Sequence, residues 1–130
     1  MRLVVNGKFD PNWDGDDVET TELRGWITKD GSSGFKAESG RYHLYVSWVC
    51  PWAHRTIIFR KLKQLESHIG MSIVSPNMFD NGWVFDKKTG SSGDTLFDVD
   101  CMHEIYTKSH SDYTGRVSVP VLWDKKQIQL

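Results

Sequence analysis

No run of residues in this chain comes near the roughly eighteen consecutive apolar side chains that cross a bilayer, and Met1 to Asp10 lacks the apolar core of a secretory signal. No membrane partner is expected, and a cytoplasmic location is the default reading. Charge of one sign is also missing: 16 Lys and Arg stand against 17 Asp and Glu, so no broad field draws the chain to nucleic acid. Any partner is read by local chemistry. Cysteine is scarce. The two present, Cys50 and Cys101, fall in different candidate helices, which favours reduced thiols over a structural bridge. At 130 residues there is chain enough for one hydrophobic core and not for two.

What the chain does have is aromatic bulk, with six Trp, six Phe and four Tyr, each able to fill a core or line a binding surface. Residues 1–40 hold Trp13, Trp26 and Phe35 among Gly, Asp, Ser and Thr without a sustained period, and read as an irregular arm that packs by its aromatics. Asp10, Asn12, Asp14 and Gly15 copy the opening of a calcium loop. The closing position is Thr21, and Glu22 comes one residue late, so a solvated acidic turn is expected there instead.

Residues 41–130 read as a domain. Tyr42, Leu44 and Val46 alternate with His43, Tyr45 and Ser47 in the period of a strand. After the break at Cys50-Pro51, the residues Ile58, Leu62, Leu65 and Ile69 form one stripe of an α-helix, with Pro51 in the first turn, where its missing N–H costs nothing. Met71 to Ser75 then makes a short β segment ended by Pro76. Strand, helix and strand form a βαβ unit with a right-handed crossover. A long loop over 77–93 contains Asn81-Gly82 and a Gly-Ser-Ser-Gly run, and loops of that length tend to carry function. A helix capped by Asp94 or Thr95 is predicted next, with Leu96, Val99, Met102, Ile105 and Tyr106 as its buried stripe. Val117, Val119, Val121 and Trp123 alternate as a strand, and the turn at Asp124 to Gln127 leads to Ile128 and Leu130, which reads as a β-hairpin cut short at the terminus. The predicted fold class is α/β and thioredoxin-like, in the order β-α-β-loop-α-β-β, lacking that fold's final helix.

The chemistry concentrates at Cys50-Pro51-Trp52-Ala53-His54-Arg55. A thiol between a strand and a helix start faces unpaired backbone N–H groups and the positive end of the helix dipole, both of which favour thiolate over thiol. His54 and Arg55 add positive charge. A dithiol oxidoreductase needs a second cysteine three residues on, and that position is Ala53. A mixed disulfide at Cys50 would therefore be resolved by an external thiol, for which glutathione is the abundant candidate. The bland reading is a buried cysteine serving as a small hydrophobe. In Val119-Pro120 a proline interrupts a strand-like run, marking an edge or an unusual peptide bond. In thioredoxin-like folds a cis-proline lies opposite the reactive cysteine and frees the preceding backbone to pair with a peptide such as glutathione. Arg116 can hold a carboxylate through its planar fork or be a solvated surface residue. Trp83 can close over a ligand or pack its own loop. Cys50 and His54 share a helix face, but Cys101 and His103 supply no zinc-like spacing, so no metal is expected.

The segments Arg41 to Ser47, Cys50 to Thr56, Asn81-Gly82-Trp83, Gly93 to Leu96, and Gly115 to Asp124 together resemble the glutathionyl-hydroquinone reductases, the xi class of glutathione transferases, from about Trp26 to Lys126. The resemblance implies that Cys50 is the catalytic nucleophile and that glutathione is a co-substrate bound by Trp83, Arg116 and the backbone of Val117, Ser118 and Val119. Pro51, His54, Arg55 and Pro120 would support it. Glutathionylated quinols are the implied substrates, and full-length members are expected to be homodimers.

In that family the strand pair leads to a Glu-Ser pair binding the γ-glutamyl end of glutathione, and then to a helical domain holding the quinol pocket. Gln127 to Leu130 stand where that continuation would begin, so a truncated domain with half of the expected active site is anticipated. Two other readings remain open at this point: a non-catalytic remnant or assembly module, and a glutaredoxin-like monothiol deglutathionylase.

Overall fold

A computed structural model describes residues 2–12 and 23–130. At its centre is β5 (Tyr42–Val46), paired in parallel with β6 (Gly70–Ile73) and antiparallel with β8 (Val121–Asp124), so that the sheet order is β6-β5-β8. The helix α1 (Pro51–Leu62) makes the crossover from β5 to β6. The helix α2 (Met102–Ser109) and the strand β7 (Gly115–Val117) precede β8. From β5 onward the order is β-α-β-loop-α-β-β, the thioredoxin-like arrangement expected from the sequence, but its last two strands are β7 and β8. At residues 128–130, where the sequence predicts the second strand of a terminal hairpin, there is only an isolated bridge from Asp124 to Gln129.

All five residues of β5 are buried, more than its alternating pattern suggests, because both of its edges are paired and both faces are covered. The polar members on that strand are satisfied in place. His43 Nε2 lies 2.8 Å from Ser72 Oγ, and the Tyr45 hydroxyl donates to Asp94 Oδ1 at 3.0 Å. Around them Val46, Ala53, Val74, Met102, Ile105 and Trp123 are, with Val4 and Tyr45, the most completely buried apolar residues of the core.

The amino-terminal arm is less irregular than expected. β1 (Arg2–Val5) and β2 (Lys8–Asp10) form an antiparallel hairpin, and β1 adds a second antiparallel partner in β7, with Val4 opposite Gly115. Phe9 stacks on His103 of α2 at 4.6 Å between ring centroids. Strands this short carry too few residues to show a period, and the partner that stabilises them is more than a hundred positions away. Two further short strands, β3 (Ile27–Thr28) and β4 (Phe35–Lys36), pair in parallel. Of the calcium-loop positions, Asp14, Gly15, Thr21 and Glu22 lie outside the described residues, as does Trp13. Asp10 Oδ1 accepts the Asn12 N–H at 2.9 Å, an ordinary Asx turn.

Three local readings are corrected. Asp94 does cap a turn, accepting from the N–H groups of Leu96, Phe97 and Val99. Asp98 is left-handed (φ 57°), however, and the helix restarts only at Met102, where Glu104 takes the N–H groups of Asp100 and Cys101. The Val117–Trp123 run is two strands, because a cis peptide at Val119-Pro120 separates β7, which pairs with β1, from β8, which pairs with β5. The stripe read on α1 is not its buried face. Ala53 is buried, Ile57 packs on the core, and Ile58, Phe59 and Leu62 are exposed.

Candidate active site

Cys50 is the N-cap of α1, with extended backbone (φ −87°, ψ 114°) and Pro51 directly behind it in the first turn. The chain leaves β5, turns through Ser47, whose Oγ accepts the Val49 N–H, and enters the helix when the Cys50 carbonyl accepts the His54 N–H at 2.8 Å. The thiol does not cap the helix. It is half-buried and points across to the 118–120 segment, with Sγ 3.6 Å from the Val119 carbonyl oxygen. First-turn N–H groups and the dipole of a 12-residue helix are thus directed at the sulfur's end of α1.

The opposing wall is built by backbone. β7 delivers the chain to the cis Val119-Pro120 peptide, with Val117 facing Arg2 across the β1–β7 pair. The Tyr106 hydroxyl, from α2, donates to the Ser118 carbonyl at 3.0 Å and accepts the Ser118 N–H at 3.3 Å. Among the described residues, the Val119 N–H has no hydrogen-bond partner.

Between Cys50 and this wall runs a groove of about 780 Å³, lined also by Trp83, Arg55, Arg116, Ser118, Val119 and Pro120. Trp83 is held there from below: its carbonyl accepts the Met102 N–H at 2.9 Å, and the Phe79/Gly82 pair of backbone bonds closes the turn before it. The Arg55 guanidinium lies over the Trp52 ring at 4.5 Å, so the two side chains form one edge of the groove.

Most residues singled out from the sequence therefore converge. Three do not line the groove: Val117 is buried in the core, and Pro51 and His54 are exposed on α1. The structure adds Leu23, Arg24 and Phe35 from the arm and Tyr106 from α2. The sequence marks Phe35 only as an aromatic by which the arm packs and carries no signal for Leu23 and Arg24, whose neighbours are set by tertiary pairing. Tyr106 was read as part of a buried stripe, and it is buried; its hydroxyl is what that reading overlooked. Burial pushes that phenol up to about 12, outweighing its bonds to Ser118, so it stays protonated.

The second cysteine differs. Cys101 is buried, and burial, followed by the nearby charges of Glu104 and Asp100, pushes its thiol up to about 11.

A single cysteine at a helix N-terminus, facing a cis-proline across a groove, defines a thioredoxin-like domain of the monothiol kind. Comparison with known proteins narrows this. Residues 49–128 match the family model for the glutathione S-transferase N-terminal domain. The glutathionyl-hydroquinone reductase YqjG of Escherichia coli is 53% identical over 111 residues, which is 80% of this chain and 34% of that protein. A xi-class glutathione transferase structure from Natrialba magadii superposes with a TM-score of 0.88 at 42% identity, covering 99% of this chain and 40% of that one. The glutathione-bound structure of YqjG gives 0.82 at 45% identity, over 97% of this chain and 40% of its own. The chain belongs to the glutathione S-transferase family, in the xi class that includes the glutathionyl-hydroquinone reductases. It spans about a third to two fifths of the length of these relatives.

Proposed function

We propose that residues 41–130 are the glutathione-binding domain of a glutathione-dependent thiol reductase, preceded by the arm over 1–40, and that the whole enzyme reduces glutathionyl-hydroquinones. The observation that carries this is the 3.6 Å approach of Cys50 Sγ to the Val119 carbonyl beside the cis-proline. A glutathione cysteine laid along that backbone has its sulfur brought up to Sγ. Arg116 and Arg55 on the groove suit the tripeptide's carboxylates, and Trp83 supplies an apolar wall.

The Cys50 thiolate attacks the sulfur of the glutathionyl thioether. The S–S bond to glutathione forms as the sulfur–aryl bond breaks, and the aryl carbon leaves with the bonding pair and takes a proton, giving the hydroquinone. A second glutathione thiolate then attacks the mixed disulfide, releasing glutathione disulfide and restoring Cys50. The substrate is reduced by two electrons, which come from joining two glutathione sulfurs. Ala53 offers no internal thiol, so the second step requires the external one.

Intact-mass analysis after incubation with glutathione disulfide tests the first half. A single glutathione adduct on Cys50, absent in Cys50→Ser, is expected, and equal modification of Cys50 and Cys101 would overturn the reading. Turnover of a glutathionyl-hydroquinone tests the second half.

A second reading rests on the exposed surface around the thiol, where Trp48, Val49 and Trp52 lie open beside Cys50. That apolar rim suits a glutathionylated polypeptide, as a glutaredoxin-like monothiol deglutathionylase requires. Faster turnover of a glutathionylated peptide than of the hydroquinone conjugate would favour it.

A further inference from the structure

The strand that leads into the cis-proline is held on one edge by two phenols. Tyr113 donates to the Arg116 carbonyl at 2.8 Å, and Tyr106 both donates to the Ser118 carbonyl and accepts its N–H. Carbonyls two residues apart in an extended chain point the same way, so these hydroxyls stand where a neighbouring strand would stand. Their rings pack on each other at 4.9 Å, and Tyr106 is nearly fully buried, which leaves its hydroxyl little freedom to turn elsewhere.

We infer that Tyr106 is a positioning residue for the ligand's main chain. By holding both polar groups of Ser118 on the edge away from the thiol, it fixes the orientation of that peptide and with it the Val119 N–H and C=O on the opposite edge, toward Cys50, and so sets the register in which a peptide can add there. Register in such additions is set by which backbone groups are available, since a slip of one residue turns every side chain to the other face. In a Tyr106→Phe protein the ring still fills its place, but the Ser118 peptide is released to rotate, and the Val119 groups lose their fixed direction toward the ligand. The inference rests on the proposed glutathione chemistry at Cys50.

The test uses two reagents on the full chain. Glutathione disulfide must dock its backbone to react with Cys50; iodoacetamide need not. Tyr106→Phe is expected to slow glutathionylation of Cys50 about tenfold, the effect of losing a well-placed pair of hydrogen bonds, with alkylation by iodoacetamide changed less than about twofold. Equal glutathionylation rates in the two proteins would overturn the inference alone, as would equal slowing with both reagents, which marks general loosening. A wild-type chain whose Cys50 does not react with glutathione disulfide would overturn the reading beneath it as well. Amide exchange on the wild-type protein gives a check that needs no variant. The Ser118 N–H is expected to be protected and the Val119 N–H to exchange fast, slowing once Cys50 carries glutathione; the reverse order would contradict the assignment.

Discussion

Arg41 and Asp124 meet as a buried, two-point ion pair that ties the start of β5 to the end of β8, with Arg41 Nε donating to Asp124 Oδ1 at 2.9 Å and Nη2 to Oδ2. Glu38 takes the remaining Nη1 at 3.0 Å, and Asp124 Oδ1 also caps the following turn through the Lys126 N–H. Burial alone would raise the Asp124 carboxyl, but the bonds from Arg41 and from the backbone at Lys126 and Gln127 outweigh it and hold it below the usual carboxylate value.

Removing one partner of such a pair strands the other charge, so Asp124→Asn is expected to cost about 3 kcal/mol, read as a lowered urea midpoint with unchanged slope. The sign of its pH dependence follows from the depressed value. The stabilisation is present above the unfolded carboxyl's pKa, about 3.9, and is lost as pH falls through the lower folded one. Between pH 5 and 7, roughly, this pair contributes no slope.

The slope in that range comes from His43 and from His103, whose imidazole burial also lowers. Burial lowers the His43 imidazole to about 4, whereas an unfolded histidine takes up its proton near 6.5. As pH falls from about 6.5 to about 4 the unfolded chain binds a proton that the folded chain refuses, so stability should drop by on the order of 2 kcal/mol. Urea titrations at several pH values measure this, and His43→Gln should reduce the slope over that interval, leaving the part due to His103 and the Asp124 limb below it.

Cys101 should behave as a silent thiol. With its value raised to about 11 and its sulfur buried, iodoacetamide labelling of Cys101 in the folded chain should climb about tenfold per pH unit across the alkaline range. Peptide mapping should find Cys50 modified first at neutral pH, and Cys101 only in denaturant.

Gly7 joins the β1–β2 turn to the core by donating its N–H to the Tyr113 carbonyl at 2.9 Å, in a left-handed conformation (φ 76°). A Cβ there would stand 1.9 Å from the Ser111 carbonyl oxygen. Gly7→Ala should therefore loosen β1 from β7 at a cost of about 2 kcal/mol, visible as faster amide exchange at Gly115 to Val117 before the β5 amides are affected.

The parts of the fold that could be read from the sequence are those written in neighbouring residues. Tyr42 to Ser47 carry a local period, the Cys50-Pro51 break with Pro51 in the first turn of α1 carries a local conformational constraint, and Val119-Pro120 announced an unusual backbone. What was illegible depends on distant partners or on one backbone angle. Asp98 in the left-handed region splits a continuous apolar pattern into a capped turn and a short helix. Ile58 and Leu62 look like a core stripe because periodicity records that a face is apolar without recording what covers it. Arg24 and Phe35 reach the groove through an arm whose local sequence has no repeat. The hydroxyl of Tyr106 escaped notice because a tyrosine in a buried stripe is indistinguishable from any other large hydrophobe until its acceptor is seen.

The wall facing Cys50 is made of a peptide unit, with the Val119 carbonyl 3.6 Å from Sγ. Every amino acid at position 119 brings the same carbonyl, so mutational drift in that side chain leaves the wall's polar lettering unaltered. Divergence in what the pocket accepts has to come from its aromatic and cationic flanks, which makes Trp83, Arg55 and Arg24 the places to look when close relatives choose different molecules.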